Sequence, residues 1–268
     1  MLLAICMMAG IVNAQKMYIR LGVGGGVGLA QYVGTNWGDG TSTGSFSSMK
    51  IKSYSLGGGF NVNPAVGFML SDHVGIELGV NEFIGLSKKE HLTSTSGTQD
   101  DKVSGMMLQL VPAIVITPGL EKVNPYARLG IIVGILPSIT EKTNSTFSSG
   151  GEQLEATFVE DYKDKLSGGV ALGFTAAGGA DFSLGDHFSI FGEVVFNGIT
   201  YAPKKGKIKT WTENGIDMLA TATPKEKEWT YEKNVDNTTI PDVSKNKLPK
   251  TSFNFSNFEL NIGVKIKL

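Results

Sequence analysis

The sequence predicts an all-β fold: an eight-stranded antiparallel up-and-down barrel that crosses a membrane, with short turns at one end and long loops at the other. From Phe258 to Leu268 the side chains alternate without error. Phe258, Leu260, Ile262, Val264, Ile266 and Leu268 are apolar, while Glu259, Asn261, Gly263, Lys265 and Lys267 lie between them. A strand has a side-chain period of two, so this segment has one oily face and one polar face. Nearly every other segment alternates in the same way, which leaves no element to cover the oily faces. Lipid is the simplest solvent for them.

Taken in order, period two marks eight segments. The first runs from about Met17 to Tyr32, with Ile19, Leu21, Val23, Val27 and Leu29 opposite Tyr18, Arg20 and glycines. The second, about Ser53 to Leu70, sets Tyr54, Leu56, Phe60, Val62, Val66, Phe68 and Leu70 against Ser53, Ser55, Asn61 and Asn63. The third starts at Val74, with Ile76, Leu78 and Val80 opposite Glu77 and Asn81. The fourth, Gly105 to Thr117, carries Met106, Leu108, Leu110, Ile114 and Ile116 in phase; the fifth, Tyr126 to Leu136, carries Leu129, Ile131, Val133 and Ile135 opposite Arg128. The sixth, Gly168 to Leu184, has Val170, Leu172, Phe174, Phe182 and Leu184. The seventh, Phe188 to Tyr201, has Ile190, Val194 and Phe196 opposite Glu193 and Asn197; the eighth is the terminal segment. Glu82, Phe253 and Phe255 break the phase, and a bulge near the outer rim is the expected reason. Val111 and Ile132 fall on the inward phase, so the lumen is not uniformly polar.

The connections alternate in length. Short turns follow segments two, four and six, at Ser71-Asp72-His73, Pro118 to Asn124 and Gly185-Asp186-His187. Long polar stretches follow one, three, five and seven, near 33–52, 87–104, 137–165 and 203–251. That asymmetry is expected of an outer-membrane barrel, with turns in the periplasm and loops outside. Strands of about ten residues, rising ~3.3 Å each and tilted by ~40°, span the ~25 Å apolar band. A soluble barrel with an oily interior shares the alternation and inverts it. The terminal strand, the loop asymmetry and the leader decide for the membrane.

Residues 1–14 read as a secretory signal: Leu2 to Val12 is almost wholly apolar, and Val12-Asn13-Ala14 fits a small-residue cleavage site, although a basic start is missing. Residues 15–268 form the barrel. Cys6 lies in the leader behind a bulky Ile5, so a lipidation box does not fit and no disulfide is expected in the mature chain. No later run approaches the ~18 apolar residues of a membrane helix. A net charge of −1 offers no footprint for nucleic acid. The 35 glycines, many inside strands, suit places where backbone curves or the lumen narrows.

Asn124-Pro125-Tyr126-Ala127-Arg128-Leu129-Gly130, the paired turns Leu70-Ser71-Asp72-His73 and Leu184-Gly185-Asp186-His187, and a glycine-rich first strand after Ala14-Gln15 together carry a resemblance. The chain resembles the outer-membrane protein beta-barrel domain superfamily, including its W-type and A-type proteins and the porin-family barrels of Bacteroidetes. The resemblance covers Gln15 to Leu268 and implies a Gram-negative outer-membrane location. It also implies recognition of the last strand by the barrel-assembly machinery, here with Leu268 where relatives often end in phenylalanine. Outer-membrane lipid and lipopolysaccharide are the implied surroundings, and a monomer is the expected state.

Weaker motifs fall away. Gly22 to Gly28 lacks the third glycine of a dinucleotide loop and the Lys-Ser or Lys-Thr of a phosphate loop. His73, His91 and His187 are scattered without ligand spacing, so no metal or cofactor is expected; the two Asp-His pairs read as turn chemistry. No catalytic arrangement can be assigned, and an enzyme is not expected. Tyr32, Trp37, Tyr54 and Tyr201 near strand ends suggest an interfacial girdle. The last loop, with Lys204, Lys205, Lys207, Lys209, Trp211, Trp229 and Tyr231, reads either as a hairpin above the membrane or as a solvated loop, and we read it as the loop.

Arg20, Glu77, Arg128, Glu193, Glu259, Lys265 and Lys267 fall on the inward phase. Buried charges must be paired or hydrated, and an eight-stranded barrel is just wide enough for side chains to fill. We expect a lumenal charge network of Arg20, Glu77, Arg128, Glu193, Glu259 and Lys265 that plugs the barrel. The competing expectation is a narrow hydrated path. The function expected is therefore structural, or presentation of surface loops. The alternatives are a small passive channel and an accessory barrel of a secretion or adhesion machine.

Overall fold

The computed structural model describes residues 17–29, 38–43, 46–51, 55–94, 97–149, 156–235, 241 and 243–268. Of 38–43, 46–51, 148–149 and 156–162 only the backbone is described. The expected signal at 1–14 and the aromatic side chains at 32, 37 and 54 lie outside the described residues.

Eight strands form the barrel: β1 (Met17–Gly28), β2 (Gly59–Met69), β3 (Val74–Gly85), β4 (Gly97–Ile116), β5 (Val123–Ser149), β6 (Ala171–Ser183), β7 (Phe188–Tyr201) and β8 (Asn257–Lys267). Each pairs antiparallel with its successor, and β8 pairs with β1 to close the ring. Stepping from partner to partner starting at Tyr18, the path crosses Gly67, Glu77, Ala113, Gly130, Thr175, Asn197 and Asn257, and returns to β1 at Gly28. The stagger from Tyr18 to Gly28 is ten residues, and such a shear in eight strands requires the strands to tilt by ~35–45°.

The faces divide as the alternation demands. Ile19, Val62, Leu78, Ile114, Ile131, Leu172, Val194 and Leu260 all stand exposed on the outer wall. The residues between them are buried: Arg20, Asn61, Glu77, Val115, Arg128, Thr175, Glu193 and Asn261. Several inward glycines leave the room that these side chains need. A Cβ at Gly22 would overlap the Asn63 amide, one at Gly67 the Tyr18 ring, and one at Gly24 the Asn261 amide. The glycine-rich first strand thus narrows to bare backbone where neighbouring side chains cross the lumen.

Several local expectations are corrected. β3 keeps one register against both neighbours through Glu82, with no bulge; Glu82 stays on the outer face, opposite Val62 and Leu108. Nor does a bulge precede β8. Phe255 donates its N–H to Ile199 O at 3.0 Å, in register with the β7–β8 ladder, and its ring is buried inside the barrel. Its phase break is a change in what the lumen holds. Leu56, expected outside, is also buried, and Tyr201 is no interfacial residue: it is fully buried and its hydroxyl donates to Gly168 O at 2.9 Å. The one register shift between barrel strands lies between β4 and β5, where Leu136 and Pro137 bulge opposite Met107. Leu136 takes a positive φ of 51° and is 80 % exposed. Beyond it the inward phase of β5 passes from even to odd positions, so Ile139 and Ser145 are buried.

The stretches expected as loops are largely strand. β4 and β5 continue past the apolar band, flanked by strands Lys88–Ser94 and Ala156–Ser167. The last long connection, read as solvated, is instead folded. Strand Lys205–Glu213 pairs with Ala156–Ser167 and with Glu228–Glu232, and a single helical turn, Pro224–Lys227, lies between. It buries Ile208 and Trp229, and Glu228 accepts from Lys207 at 2.8 Å and pairs with Lys245 at 2.9 Å. Those cations hold the Glu228 carboxyl down to about 2.

One acidic pair in this wall faces inward. Glu141 stands directly opposite Asp164, whose carboxyl is buried, with Asp101 and Tyr231 nearby. Burial, then repulsion from Asp164 and Asp101, pushes Glu141 up to about 7. Burial pushes Asp164 up to about 6 against two backbone hydrogen bonds that favour the charged form. An acid whose folded-state pKa is raised binds protons more tightly folded than unfolded, so stability falls as pH rises from its ordinary value to the raised one. Amide exchange in Ser138–Lys142 and Lys163–Ser167, corrected for intrinsic rates, is therefore expected to be slower at about pH 5 than at about pH 8. Glu141→Gln is expected to flatten most of that difference.

Candidate functional site

The inward face carries its charges in one closed figure. Arg20 comes from β1, Glu77 from β3, Arg128 from β5 and Glu193 from β7, so every second strand contributes one group. Arg20 reaches Glu193 at 2.8 Å and Glu77 at 3.4 Å; Arg128 reaches Glu77 at 3.1 Å and Glu193 at 2.7 Å. Positive and negative groups alternate around a square of four ion pairs, all buried. Alternation of this kind lets each guanidinium fork span two carboxylates.

The remaining lone pairs are also used. Tyr18 donates its hydroxyl to Glu77 Oε2 at 3.1 Å, Tyr126 donates to Glu193 Oε2 at 3.0 Å, and Asn261 donates to Glu193 Oε1 at 3.1 Å. The Arg20 guanidinium lies 4.6 Å from the centre of the Phe191 ring. Arg20 Nε and Arg128 Nε have no hydrogen-bond partner among the described residues. Next to them is a cavity of about 30 Å³ lined by Asn63, Gln109, Asn197 and Glu259, room for one or two waters.

The other two charges expected in the network lie apart from the square. Lys265 pairs with Asp181 at 2.7 Å and stands 4.2 Å from the centre of the Tyr18 ring. Glu259 meets no cation among the described residues. It accepts from Asn61 at 2.9 Å and Asn257 at 2.8 Å, within a belt where Asn197 donates to Asn257 at 2.9 Å. Lys267 lies at the mouth beside the short turns, lining a vestibule of about 320 Å³ with Lys265, Asp181, Tyr18, Tyr126 and His73.

Toward the long connections the lumen turns apolar. Leu56, Phe83, Met107, Val111, Ile132, Ile199 and Phe255 form one buried cluster that runs on to Ile139, Leu166, Ile208 and Trp229. Phe255 meets Phe83 and Tyr201 edge-on, each at a centroid distance of 6.2 Å. The interior is thus stacked in three tiers: ion pairs, asparagines, then hydrocarbon.

Tyr18, Tyr126 and Asp181 escaped attention as partners, although a signal for the tyrosines is present in the chain. Tyr18-Ile-Arg20 opens β1 and Tyr126-Ala-Arg128 opens β5; Asp72-His73 precedes Glu77 and Asp186-His187 precedes Glu193. The halves β1–β4 and β5–β8 repeat one plan, and the square has a pseudo-two-fold. The histidines share it too: His73 Nδ1 lies 3.3 Å from Thr117 O at the end of β4, and His187 Nδ1 lies 3.3 Å from Lys267 O at the end of β8. The first of these turns is fastened by Ser71, whose hydroxyl accepts from the N–H groups of His73 and Val74 at 3.3 and 3.1 Å.

The family model described as "Outer membrane protein beta-barrel domain" matches residues 2–216 of the chain. The chain belongs to this outer-membrane β-barrel family. As a member it resides in the outer membrane, which accounts for the oily outer wall, and its short turns face the periplasm. The family match stops before β8, yet β8 closes the barrel against β1. Among solved structures the chain is similar to Ail, the attachment invasion locus protein of Yersinia pestis, at 10% identity and a TM-score of 0.33, covering 95% of this chain and 97% of that one. No curated protein matches.

Proposed function

We propose that this outer-membrane protein works with a sealed lumen, as a non-enzymatic envelope component whose working surface is its extracellular wall of hairpins. The observation that carries the reading is the closed Arg20–Glu77–Arg128–Glu193 square, roofed by the Phe255 cluster. A permeant solute would have to separate buried ion pairs and then cross packed hydrocarbon, with a cavity of only about 30 Å³ between them. Both barriers come from side chains on the strands themselves, so no hinged plug is required. The strands continue beyond the membrane as a folded wall, which supports a working surface outside the cell.

The test is electrical. Refolded protein in planar bilayers is expected to leave the membrane at its baseline conductance, and liposomes that contain it are expected not to swell in small sugars or amino acids. Discrete, reproducible unitary steps would overturn the sealed reading and establish the passive channel in its place.

A further inference from the structure

Four lysines occupy directly opposed positions on four neighbouring strands of the extracellular wall. Lys89 pairs with Lys102 on β4, Lys102 with Lys142 on β5, and Lys142 with Lys163 on strand Ala156–Ser167. All four lie on the outward phase: Glu90, Val103 and Asp164 beside them are buried, whereas Lys89, Lys102 and Lys142 are exposed and Lys163 is half-buried. At ~4.8 Å between strands, the row places four positive charges within ~15 Å. Like charges directly opposed across strands repel, so a sequence that stacks four of them invites an anion from outside.

The described residues do not supply that anion. No described carboxylate forms an ion pair with any of the four. Asp100, the nearest acid on the same face of β4, is engaged by His91 at 2.7 Å. The acids of this tier point the other way. Asp101 accepts from Thr143 at 2.6 Å and Gln99 at 2.8 Å on the inner face. Glu141 and Asp164 are also on the inner face, where burial pushes their carboxyls up to about 7 and about 6.

Position then selects the source of the anion. The last exposed apolar side chains below the row are Leu86 after β3, Met106 on β4, Leu136 on β5 and Val170 ahead of β6. With the strand rise and tilt, the row lies ~8–18 Å beyond the edge of the oily belt, a gap that long lysine stems can shorten. Strand side chains stand roughly perpendicular to the sheet, so these four leave the wall on its outer side. We propose that the Lys89–Lys102–Lys142–Lys163 row binds the phosphates of an outer-leaflet glycolipid, the headgroup chemistry of lipopolysaccharide, and so fixes that lipid against one side of the barrel. The proposal rests on the outer-membrane location and is independent of whether the lumen is sealed.

The experiment titrates bis-phosphorylated lipid A into phosphatidylcholine nanodiscs that hold the full-length protein, with bound lipid counted by native mass spectrometry. The wild type is expected to retain lipid A, less so as salt rises. Each single variant, Lys102→Gln or Lys142→Gln, is expected to lose about fivefold in affinity, and the fourfold glutamine variant about six-hundredfold. The fourfold arginine variant is expected to keep it. Heat-modifiable gel mobility reports that each variant is folded, and the single variants carry the test if the fourfold one is not. Three results would each overturn the proposal: a folded fourfold glutamine variant within threefold of wild type, equal retention of dephosphorylated lipid A, or equal affinity for a soluble phosphorylated oligosaccharide that has no acyl chains.

Discussion

Glu193→Ala is expected to lower the unfolding free energy by about 3–5 kcal/mol, the range for breaking a buried ion pair from one side. Glu193 accepts from Arg20, Arg128, Tyr126 and Asn261. Its removal leaves two buried guanidiniums to share Glu77 alone. The loss therefore comes chiefly from stranded cations and donors, and less from the attraction itself. Urea unfolding of the refolded protein in lipid vesicles, followed by heat-modifiable gel mobility, measures it. Replacing the whole square with apolar side chains, as Arg20→Met, Glu77→Leu, Arg128→Met and Glu193→Leu together, is expected to recover most of the loss, because no charge is then left unpaired. A cost below about 1 kcal/mol for Glu193→Ala would show that the four groups are not energetically coupled.

Phe255→Ala is expected to cost about 3–5 kcal/mol, the usual range for emptying a fully buried aromatic site. Phe255 is the ring on which the upper tier converges, touching Phe83 and Tyr201 edge-on and covering Gly105 of β4. It sits on strand ends whose ladders are fixed by the barrel, so the space has little freedom to collapse. The conductance expected of this variant differs from its stability. The ion-pair square lies in series on the periplasmic side, so Phe255→Ala alone leaves the membrane silent. A destabilised and still non-conducting Phe255→Ala supports two independent barriers. Unitary conductance steps from that single variant would mean that the square does not close the lumen.

Much of the fold could be read from the chain, because in a membrane barrel each strand reports its own environment. Ile262 meets lipid and Asn261 meets the lumen whatever the rest of the chain does, so the dyad survives residue by residue. Alternation weakens where lipid ends. Beyond the membrane both faces of a strand meet either water or another hairpin, so Lys88–Ser94 and Ala156–Ser167 read as polar loops although they are strands. The bulge at Leu136 and Pro137 inverts the phase of β5, and phase was the one tool available there. Phe253 and Phe255 misled for a related reason: an apolar inward residue resembles a phase error unless the lumen's own change of character is known.

The sequence by itself determined that there are eight spans and that Arg20, Glu77, Arg128 and Glu193 share one interior, since strand parity within the membrane is a local property. It did not determine who meets whom. Only closure of the ring, with its stagger from Tyr18 to Gly28, sets the height of one strand against the next. That height brings four charges into a square, sends Lys265 to Asp181, leaves Glu259 among asparagines and draws four lysines into one row. Each of those contacts joins residues far apart in the chain, and the register that joins them is a property of the whole sheet.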